Sequence, residues 1–276
     1  MEQGFLKIGA SVEKAVMWLT ENFSSVFDVI KDNGNNLIEG FENILLFFPF
    51  YVIIIIMSAI ALYKGGKGVA LLTTLGLLFI YSLGFWTETM QTLAMVLIST
   101  ITALVIAVPV GIISAKKPMV EKAVRPILDL MQTMPAFVYL IPAVLFFSIG
   151  KLPGAFATII FAMPPAVRLT SLGIKEVSPE VVEAAKSFGA SPMQVLIKVE
   201  LPLAKNSLLA GVNQTIMMSL SMVVIAGMIA AGGLGEKVLE GINNLDIALG
   251  FESGLAVVIL AIILDRITQS FAGSKK

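Results

Sequence analysis

Long apolar runs alternate with short polar connections over most of this chain. A helix needs about 20 mostly apolar residues to cross the hydrocarbon core of a bilayer, and a window of that length finds seven candidate segments. The pattern therefore predicts an all-α integral membrane protein with about seven transmembrane helices, at residues 43–63, 68–86, 90–115, 126–149, 153–170, 207–232 and 254–270.

The first 42 residues have a different pattern. Apolar residues from Phe5 to Ile30 recur at spacings of three and four, and charged side chains occupy the opposite face, which indicates an amphipathic helix. Such a helix lies flat in the membrane interface or against other helices, and Trp18 is suited to the head-group level. We therefore divide the chain into an amphipathic amino-terminal segment, 1–42, and a membrane domain, 43–276.

Basic residues indicate which connections face the cytoplasm. They follow the first, third, fifth and seventh predicted spans, and the other connections contain few of them. Because loops rich in Lys and Arg are retained on the cytoplasmic side, we expect the amino terminus outside and the carboxyl terminus in the cytoplasm. The longest cytoplasmic connection then covers residues 172–205.

Composition excludes several classes of function. The chain is 57% hydrophobic with a mean hydropathy of +0.91, so it belongs in a bilayer. It has no cysteine and no histidine, which removes thiolate and imidazole metal sites and Ser–His or Cys–His catalysis. It carries no GxxxxGK[ST] phosphate-binding loop. We predict no catalytic residue, no metal and no cofactor on this chain, and its zero net charge gives no reason to expect nucleic acid.

The cytoplasmic connection contains the signals of a helical hairpin. Ser178-Pro179-Glu180 is a strong helix start, and Gly189 can take the positive φ that ends a helix. Ser191, with Gln194 three residues later, predicts a capping box at the start of a second helix. The dipeptide at residues 201–202, Leu-Pro, predicts its end.

Three interpretations of this hairpin compete. A DNA-binding helix-turn-helix would need a basic face, but residues 176–205 contain four glutamates against three lysines. A re-entrant cap on the helix bundle is a purely structural interpretation. A third is a docking element, in which a short helix presenting Ala184, Ala185, Phe188 and Ala190 fits into a groove on a soluble partner.

The spacing of the hairpin residues resembles a known signature. The order Glu-Ala-Ala, three residues, Gly, nine residues, a hydrophobic residue, one residue, Leu-Pro is similar to the EAA loop of the membrane subunits of bacterial ATP-binding cassette (ABC) importers. Val199 stands where isoleucine is commoner. The resemblance implies that the loop forms coupling helices in a cleft of an ATP-binding subunit, through Glu183, Ala184, Ala185, Phe188, Gly189, Ala190, Leu201 and Pro202.

A narrower resemblance covers residues 84–269. The runs FWTETMQTLAMVLIST, LMQTMPAFVYLIPAVLFFSIG, FAMPPAVRLTSLGI, NQTIMMSLSMVVIAGMIAAGGLG and ILAIILDRITQSF are similar to the permease subunit of glycine betaine/proline betaine importers. This implies the type I importer permease fold and the uptake of quaternary-ammonium compatible solutes for osmoprotection. A permease for choline, carnitine, proline or another amino acid is the alternative within that superfamily, and a secondary carrier is the alternative outside it.

The resemblance also implies partners and a location. They are two ATP-binding subunits that hold ATP and Mg, a second copy of this chain in a homodimer, and an external substrate-binding protein. The chain would be a multi-pass protein of the bacterial inner membrane.

Polar residues near helix breaks are candidates for the translocation path. Prolines interrupt the fourth and fifth predicted spans, and broken helices near mid-membrane are typical of transport paths. Packing kinks and interhelical hydrogen bonds explain the same residues equally well. Charged residues near the cytoplasmic ends, Asp129, Arg168, Asp265 and Arg266, favour a structural or gate-adjacent role. The path candidates are Gln132, Met134, Pro135, Tyr139, Asn213, Gln214 and Met217.

Overall fold

A computed structural model describes residues 8–272 of the chain. These residues form helices joined by short turns, and the described range contains no strand, as the apolar pattern predicts. The helices are α1 (Ile8–Asn22), α2 (Ser24–Phe47), α3 (Phe50–Ser82), α4 (Trp86–Lys116), α5 (Pro118–Thr133), α6 (Leu140–Phe147), α7 (Lys151–Lys175), α8 (Pro179–Ser187), α9 (Pro192–Val195), α10 (Leu201–Leu203), α11 (Lys205–Ala226), α12 (Gly233–Asn243) and α13 (Ile247–Ala272).

The first two predicted spans are the two arms of α3, which folds back on itself at Gly66. Gly66 has a φ of 80° and a ψ of −175°, which break the helix and which a residue with a Cβ rarely adopts. The hydroxyls of Ser58 and Thr74 then share a hydrogen bond of 2.7 Å, and the rings of Phe50 and Tyr81 stack with centroids 3.9 Å apart. Both pairs lie symmetrically about the turn, so the arms are antiparallel.

The fold-back of α3 at Gly66 affects the count of spans. Each arm has about 16 residues and is about 24 Å long, which is shorter than the roughly 30 Å of a hydrocarbon core. By length and apolarity, five described helices can cross a membrane, namely α3 taken whole, α4, α7, α11 with its last turn, and α13, and a bent pair makes up to six. The seven predicted segments count these two arms separately, so the first two are short arms of one folded helix rather than full-length spans.

The bent pair occupies the predicted fourth span at 126–149, which prolines were expected to interrupt. The α5 helix and the segment Ala136–Phe147 meet at an angle of 110°. Met134, at the end of α5, has an extended backbone with φ −71° and ψ 136°, because the ring of Pro135 disfavours a helical conformation in the residue before it. A 3₁₀ turn, Ala136–Tyr139, then leads into α6.

The centre of the bundle is the packing of α7 between α4 and α11. Small residues allow this close approach. A methyl group added at Gly111 of α4 would lie 2.8 Å from the carbonyl oxygen of Val167, and one added at Gly173 of α7 would lie 2.7 Å from Cβ of Ser207. Van der Waals packing between small residues is the main attraction between helices in lipid.

The bundle has two ends, which we call the hairpin end and the far end. The hairpin end holds the turn of α3 at Gly66, the last residues of α4 and α7, and the α8–α10 segment. Gly65 lies beside Ser270 of α13, which places the end of α13 there too. The far end holds the starts of α4 and α7, and α12.

The α2 helix packs on the far end. Its Phe27 ring stacks on Phe146 of α6 with centroids 4.7 Å apart, and its Gly34 faces the side chain of Leu152. Trp18 of α1 is 58% exposed. The predicted amino-terminal helix is thus present over the described residues, although Phe5 lies outside them, and α2 continues past residue 42 to Phe47.

Candidate functional site

The predicted hairpin forms at residues 178–203, and Gly189 makes its turn. Gly189 has a φ of 82°. Its amide N–H donates to the carbonyl of Lys186 at 2.9 Å, and the N–H of Ala190 donates to the carbonyl of Ala185 at 3.1 Å. These bonds close the α8 helix in the manner of a Schellman motif. Ser178, predicted to cap α8, makes no side-chain cap bond.

The second helix begins as predicted and ends differently. The Ser191 hydroxyl accepts from the N–H of Gln194 at 3.3 Å, while the Gln194 side chain accepts from the N–H of Ser191 at 2.8 Å, which completes the capping box. The predicted stop at residues 201–202 is wrong, because α9 widens into a π-helical stretch, Leu196–Glu200, and continues through α10 into α11. Pro202 is tolerated there because it falls in the first turn of α10.

The hairpin presents apolar side chains with nothing of the described chain covering them. Phe188 is 94% exposed and Met193 is 62% exposed. Glu183 and Ala184 are exposed beside them, and Ala185 is half-buried. Of the remaining signature residues, Ala190 and Leu201 are half-buried and Pro202 is exposed. An exposed ring of this size at the turn of a short rigid hairpin is what a groove on a partner protein can bind.

Buried contacts fix this surface to the bundle. Glu200, only 4% exposed, forms an ion pair with Lys116 at the end of α4. Val195 is 2% exposed and Ala204 is 3% exposed. The ion pair therefore joins the hairpin to the end of α4, and separating it would leave a buried carboxylate without its cation at considerable cost.

The path candidates do not form one cluster. Tyr139 is buried and its hydroxyl donates to the carbonyl of Met131 at 2.5 Å. Asn213 donates to Asp265 at 3.1 Å and accepts from Thr268 at 2.5 Å, so it joins α11 to α13. The turn before α6 does contact α11, which brings two of the candidate segments together. Of the other candidates, Met134 and Met217 are half-buried and Gln132, Pro135 and Gln214 are exposed.

Three of the four charged residues that the sequence singled out, Arg168, Asp129 and Asp265, have partners, and Arg266 is exposed. Arg168 of α7 forms an ion pair with Asp129 of α5. Lys175 of α7 forms an ion pair with Glu121 of α5 at 2.5 Å. Asp265 accepts hydrogen bonds from Asn213 and Gln269. These partners lie within the chain, in line with the structural role that the sequence favoured.

A buried polar network at the far end was not found from the sequence. Glu42 of α2, 7% exposed, forms an ion pair of 2.7 Å with Lys151 at the start of α7. Gln91 of α4 donates to Glu42 at 3.0 Å and accepts from the N–H of Gly233 at 3.1 Å. One network thus joins α2, α4, α7 and the start of α12. The signal was the position of Glu42 four residues after buried Ile38 on the same helix face.

Next to this network, α12 carries its own charges. Lys237 donates to Glu240 at 2.9 Å. That hydrogen bond, with the nearby carboxylates of Glu240, Glu88 and Glu236, raises the pKa of Lys237 above its usual value. The ammonium therefore keeps its charge over the whole physiological pH range.

Comparison with known proteins gives the family. Residues 107–273 match the model of the "Binding-protein-dependent transport system inner membrane component" family, and this chain belongs to that family. Membership of this family makes it a permease and a multi-pass protein of the inner membrane. It is 48% identical over 265 residues to the glycine betaine transport system permease protein OpuAB of Bacillus subtilis, a match that covers 96% of this chain and 94% of that protein.

Other relatives carry similar names. The chain is 49% identical over 259 residues to the glycine betaine/proline betaine transport system permease protein ProW of Escherichia coli, with 94% of this chain and 73% of that protein covered. Among solved structures, the MetNI methionine ABC transporter in an inward-facing conformation matches with a TM-score of 0.61 at 23% identity, covering 66% of this chain and 91% of that one. That match shows the type I importer permease fold.

Proposed function

We propose that this chain is the transmembrane permease subunit of an ABC importer that takes up glycine betaine or a related quaternary-ammonium compatible solute. The observation that carries the proposal is the docking hairpin, with its nearly fully exposed Phe188, on a chain that is about half identical to glycine betaine permeases over almost its whole length. The hairpin is the surface through which an ATP-binding subunit can move this chain, and the names of the relatives indicate the solute.

The proposed assembly contains two copies of this chain, two ATP-binding subunits and an external substrate-binding protein. ATP and Mg are held by the ATP-binding subunits, and this chain hydrolyses nothing itself. The signature residues of the hairpin, from Glu183 to Pro202, contact the ATP-binding subunit. Closure of the two nucleotide sites moves the hairpins, and the Lys116–Glu200 ion pair passes the movement to α4.

The proposed orientation follows from the same assignment. ATP is cytoplasmic, so the hairpin end faces the cytoplasm and the far end, with α2 and α12, faces the external binding protein. The amino terminus is then outside and the carboxyl terminus, beyond α13, is in the cytoplasm. The basic residues Lys64, Lys67 and Lys116 lie at the hairpin end, as the retention of basic loops requires.

The candidate path runs along the segments around Met134 and Met217, where the turn before α6 meets α11. The proposed path is a weak, transient passage, because a quaternary ammonium is held tightly by aromatic cages and the sequence has only two tryptophans and four tyrosines. Selectivity for the solute then comes from the external binding protein.

Reconstitution tests the proposal. Vesicles that contain this chain, its ATP-binding subunit and its external binding protein should accumulate labelled glycine betaine when ATP is present on the hairpin side. Vesicles that contain this chain alone should accumulate none. Uptake by the chain alone would show a secondary carrier instead. ATP-driven uptake of choline or carnitine without glycine betaine would make a related quaternary-ammonium compound the solute. Uptake of proline or another amino acid instead would contradict the proposed solute class and leave the mechanism standing.

A further inference from the structure

A pocket of about 370 Å³ opens at the hairpin end, between α5 and the final turns of α4 and α7. This volume falls in the range of small-molecule sites, roughly 300–1,000 Å³. The polar residues that line it are Ser114, Glu121, Arg125, Asp129, Arg168, Ser171 and Lys175. None of them belongs to the docking hairpin or to the candidate path, so the pocket is a separate feature.

The pocket lining contains three basic side chains and two acidic ones. Arg168 is paired with Asp129 and Lys175 with Glu121, so both acids in the lining already have a cation. The described part of the chain gives Arg125 no ion-pair partner of its own. Arg125 does lie near Glu121, where its charge adds to that of Lys175 in favouring the ionised carboxylate. The pocket therefore keeps one guanidinium available for a ligand.

A buried hydroxyl in the same lining is also without a partner. Ser114 is 3% exposed, and its Oγ makes no hydrogen bond with any described residue. A serine in a helix usually donates to the carbonyl four residues earlier, and a buried polar atom without a partner costs about 1–3 kcal/mol. The oxygen is closed off from the pocket as well, so no atom of a bound molecule reaches it and it is not a donor to a ligand.

We propose that this pocket binds a small molecule that carries an oxyanion, with the exposed guanidinium of Arg125 as its hydrogen-bond donor. A guanidinium donates to both oxygens of a carboxylate or phosphate at once. Leu128 and Val167, 5% and 1% exposed, form an apolar wall for the rest of the molecule.

Two sources supply this chemistry at the cytoplasmic end of the bundle. One is the carboxylate of the transported betaine on its way out, and this source rests on the proposed function. The other is the phosphate of an anionic lipid head group in the inner leaflet, which does not. The pocket chemistry is the same in both cases, so the experiment has to separate them.

A single introduced cysteine can report occupancy, because the chain has none of its own. Ser171 lines the pocket and is 8% exposed, so Ser171→Cys should react with a maleimide only when the pocket is empty. Met119→Cys, at an 84% exposed position on α5 outside the pocket lining, is the matched control. The reaction rate is measured on the full complex in nanodiscs of phosphatidylcholine.

Three probes are then compared: glycine betaine, inorganic phosphate, and nanodiscs in which phosphatidylglycerol replaces part of the phosphatidylcholine. We expect at least one to slow the modification of Ser171→Cys by about tenfold and none to slow that of Met119→Cys. Protection by glycine betaine assigns the pocket to the cargo. Protection by phosphatidylglycerol without betaine assigns it to lipid, and protection by inorganic phosphate alone assigns it to a soluble anion.

Variants of the guanidinium complete the test. In the Ser171→Cys chain, Arg125→Gln should lose the protection and Arg125→Lys should keep part of it. Lys122→Gln, an equal loss of charge on the exposed face of α5, should keep all of it. Absence of protection by every probe, or equal protection of the Arg125→Gln and Lys122→Gln chains, would overturn the proposal. A complex that is protected by phosphatidylglycerol but imports no betaine would overturn the proposed function alone.

Discussion

The carboxylate of Glu200 and the ammonium of Lys116 form an ion pair that joins the docking hairpin to the end of α4. The side chain of Glu200 is 5% exposed and that of Lys116 is 41% exposed, so the buried partner depends on the accessible one. This is the direct polar connection between the surface that we assign to the ATP-binding subunit and a long membrane helix.

Glu200→Gln should weaken this connection. The loss of the charged hydrogen bond should lower stability by about 1–3 kcal/mol, and ATP hydrolysis should continue while uptake falls. The measurement is the number of solute molecules imported per ATP in vesicles. Glu176→Gln, the same substitution at an exposed position before the hairpin, is the control. An unchanged import ratio for Glu200→Gln would mean that the ion pair carries no movement.

We expect any side chain at position 189 to be unfavourable, because the turn at Gly189 requires a positive φ there. Its φ of 82° has open space around it, so Gly189→Ala is opposed by backbone strain alone, about 1–2 kcal/mol. We expect hydrolysis uncoupled from uptake in this variant, and a stronger effect for Gly189→Val. Gly40→Ala, also in open space but with an ordinary φ, should leave uptake and its coupling to hydrolysis unchanged. Normal uptake by both Gly189 variants would remove the turn from the mechanism.

The far-end network should stabilise the amino-terminal segment on the bundle. Glu42→Gln leaves Lys151, with a side chain that is 24% exposed, without its counter-ion, and loss of one partner from a largely buried pair costs about 3–5 kcal/mol. The melting temperature in detergent should fall. Glu39→Gln, exposed on the same helix, should not change it. Equal melting temperatures for the two variants would contradict this assignment.

Asn213 should prove to be a packing residue rather than a path residue. Its amide bonds to Asp265 and Thr268, and interhelical hydrogen bonds in membranes contribute about 0.6 kcal/mol on average. Asn213→Ala should lower stability by about 1 kcal/mol and leave the KM for uptake unchanged. If the path passes the exposed neighbour Gln214, Gln214→Ala should raise the KM for uptake and leave stability unchanged. A raised KM with unchanged stability for Asn213→Ala would return it to the path.

The sequence predicted the features that depend on local signals. The capping box at Ser191 and the glycine turn at Gly189 need only neighbouring residues, and both are present. The fold-back of α3 was predicted as two spans with a basic connection, but the shortness of its arms depends on where the helices end. The pairing of Glu42 with Lys151 joins residues 109 positions apart, and no local pattern contains that distance.

The bend at Met134 shows the other limit. Pro135 and Pro142 were recognised as breaks, and only the first bends the chain, because Pro142 falls within the first turn of α6 where its missing N–H is not needed. The same argument applies to Pro202 in α10. Position in the helix does not decide every case, because α7 continues through Pro164 and Pro165, where a break was predicted, and α4 continues through Pro109.

The most direct test of the account is the affinity between this chain and its ATP-binding subunit when Phe188 is truncated. Burying a phenylalanine side chain contributes about 1.5–3 kcal/mol, so Phe188→Ala should raise the Kd of that complex by roughly 10- to 100-fold, and ATP-driven uptake should fall with it. Ile247→Ala, at a position that is 86% exposed at the start of α13 and so at the opposite end of the bundle, is the control and should bind normally. Binding of the Phe188→Ala chain as tight as that of the control would contradict the claim that this hairpin is where the ATP-binding subunit docks.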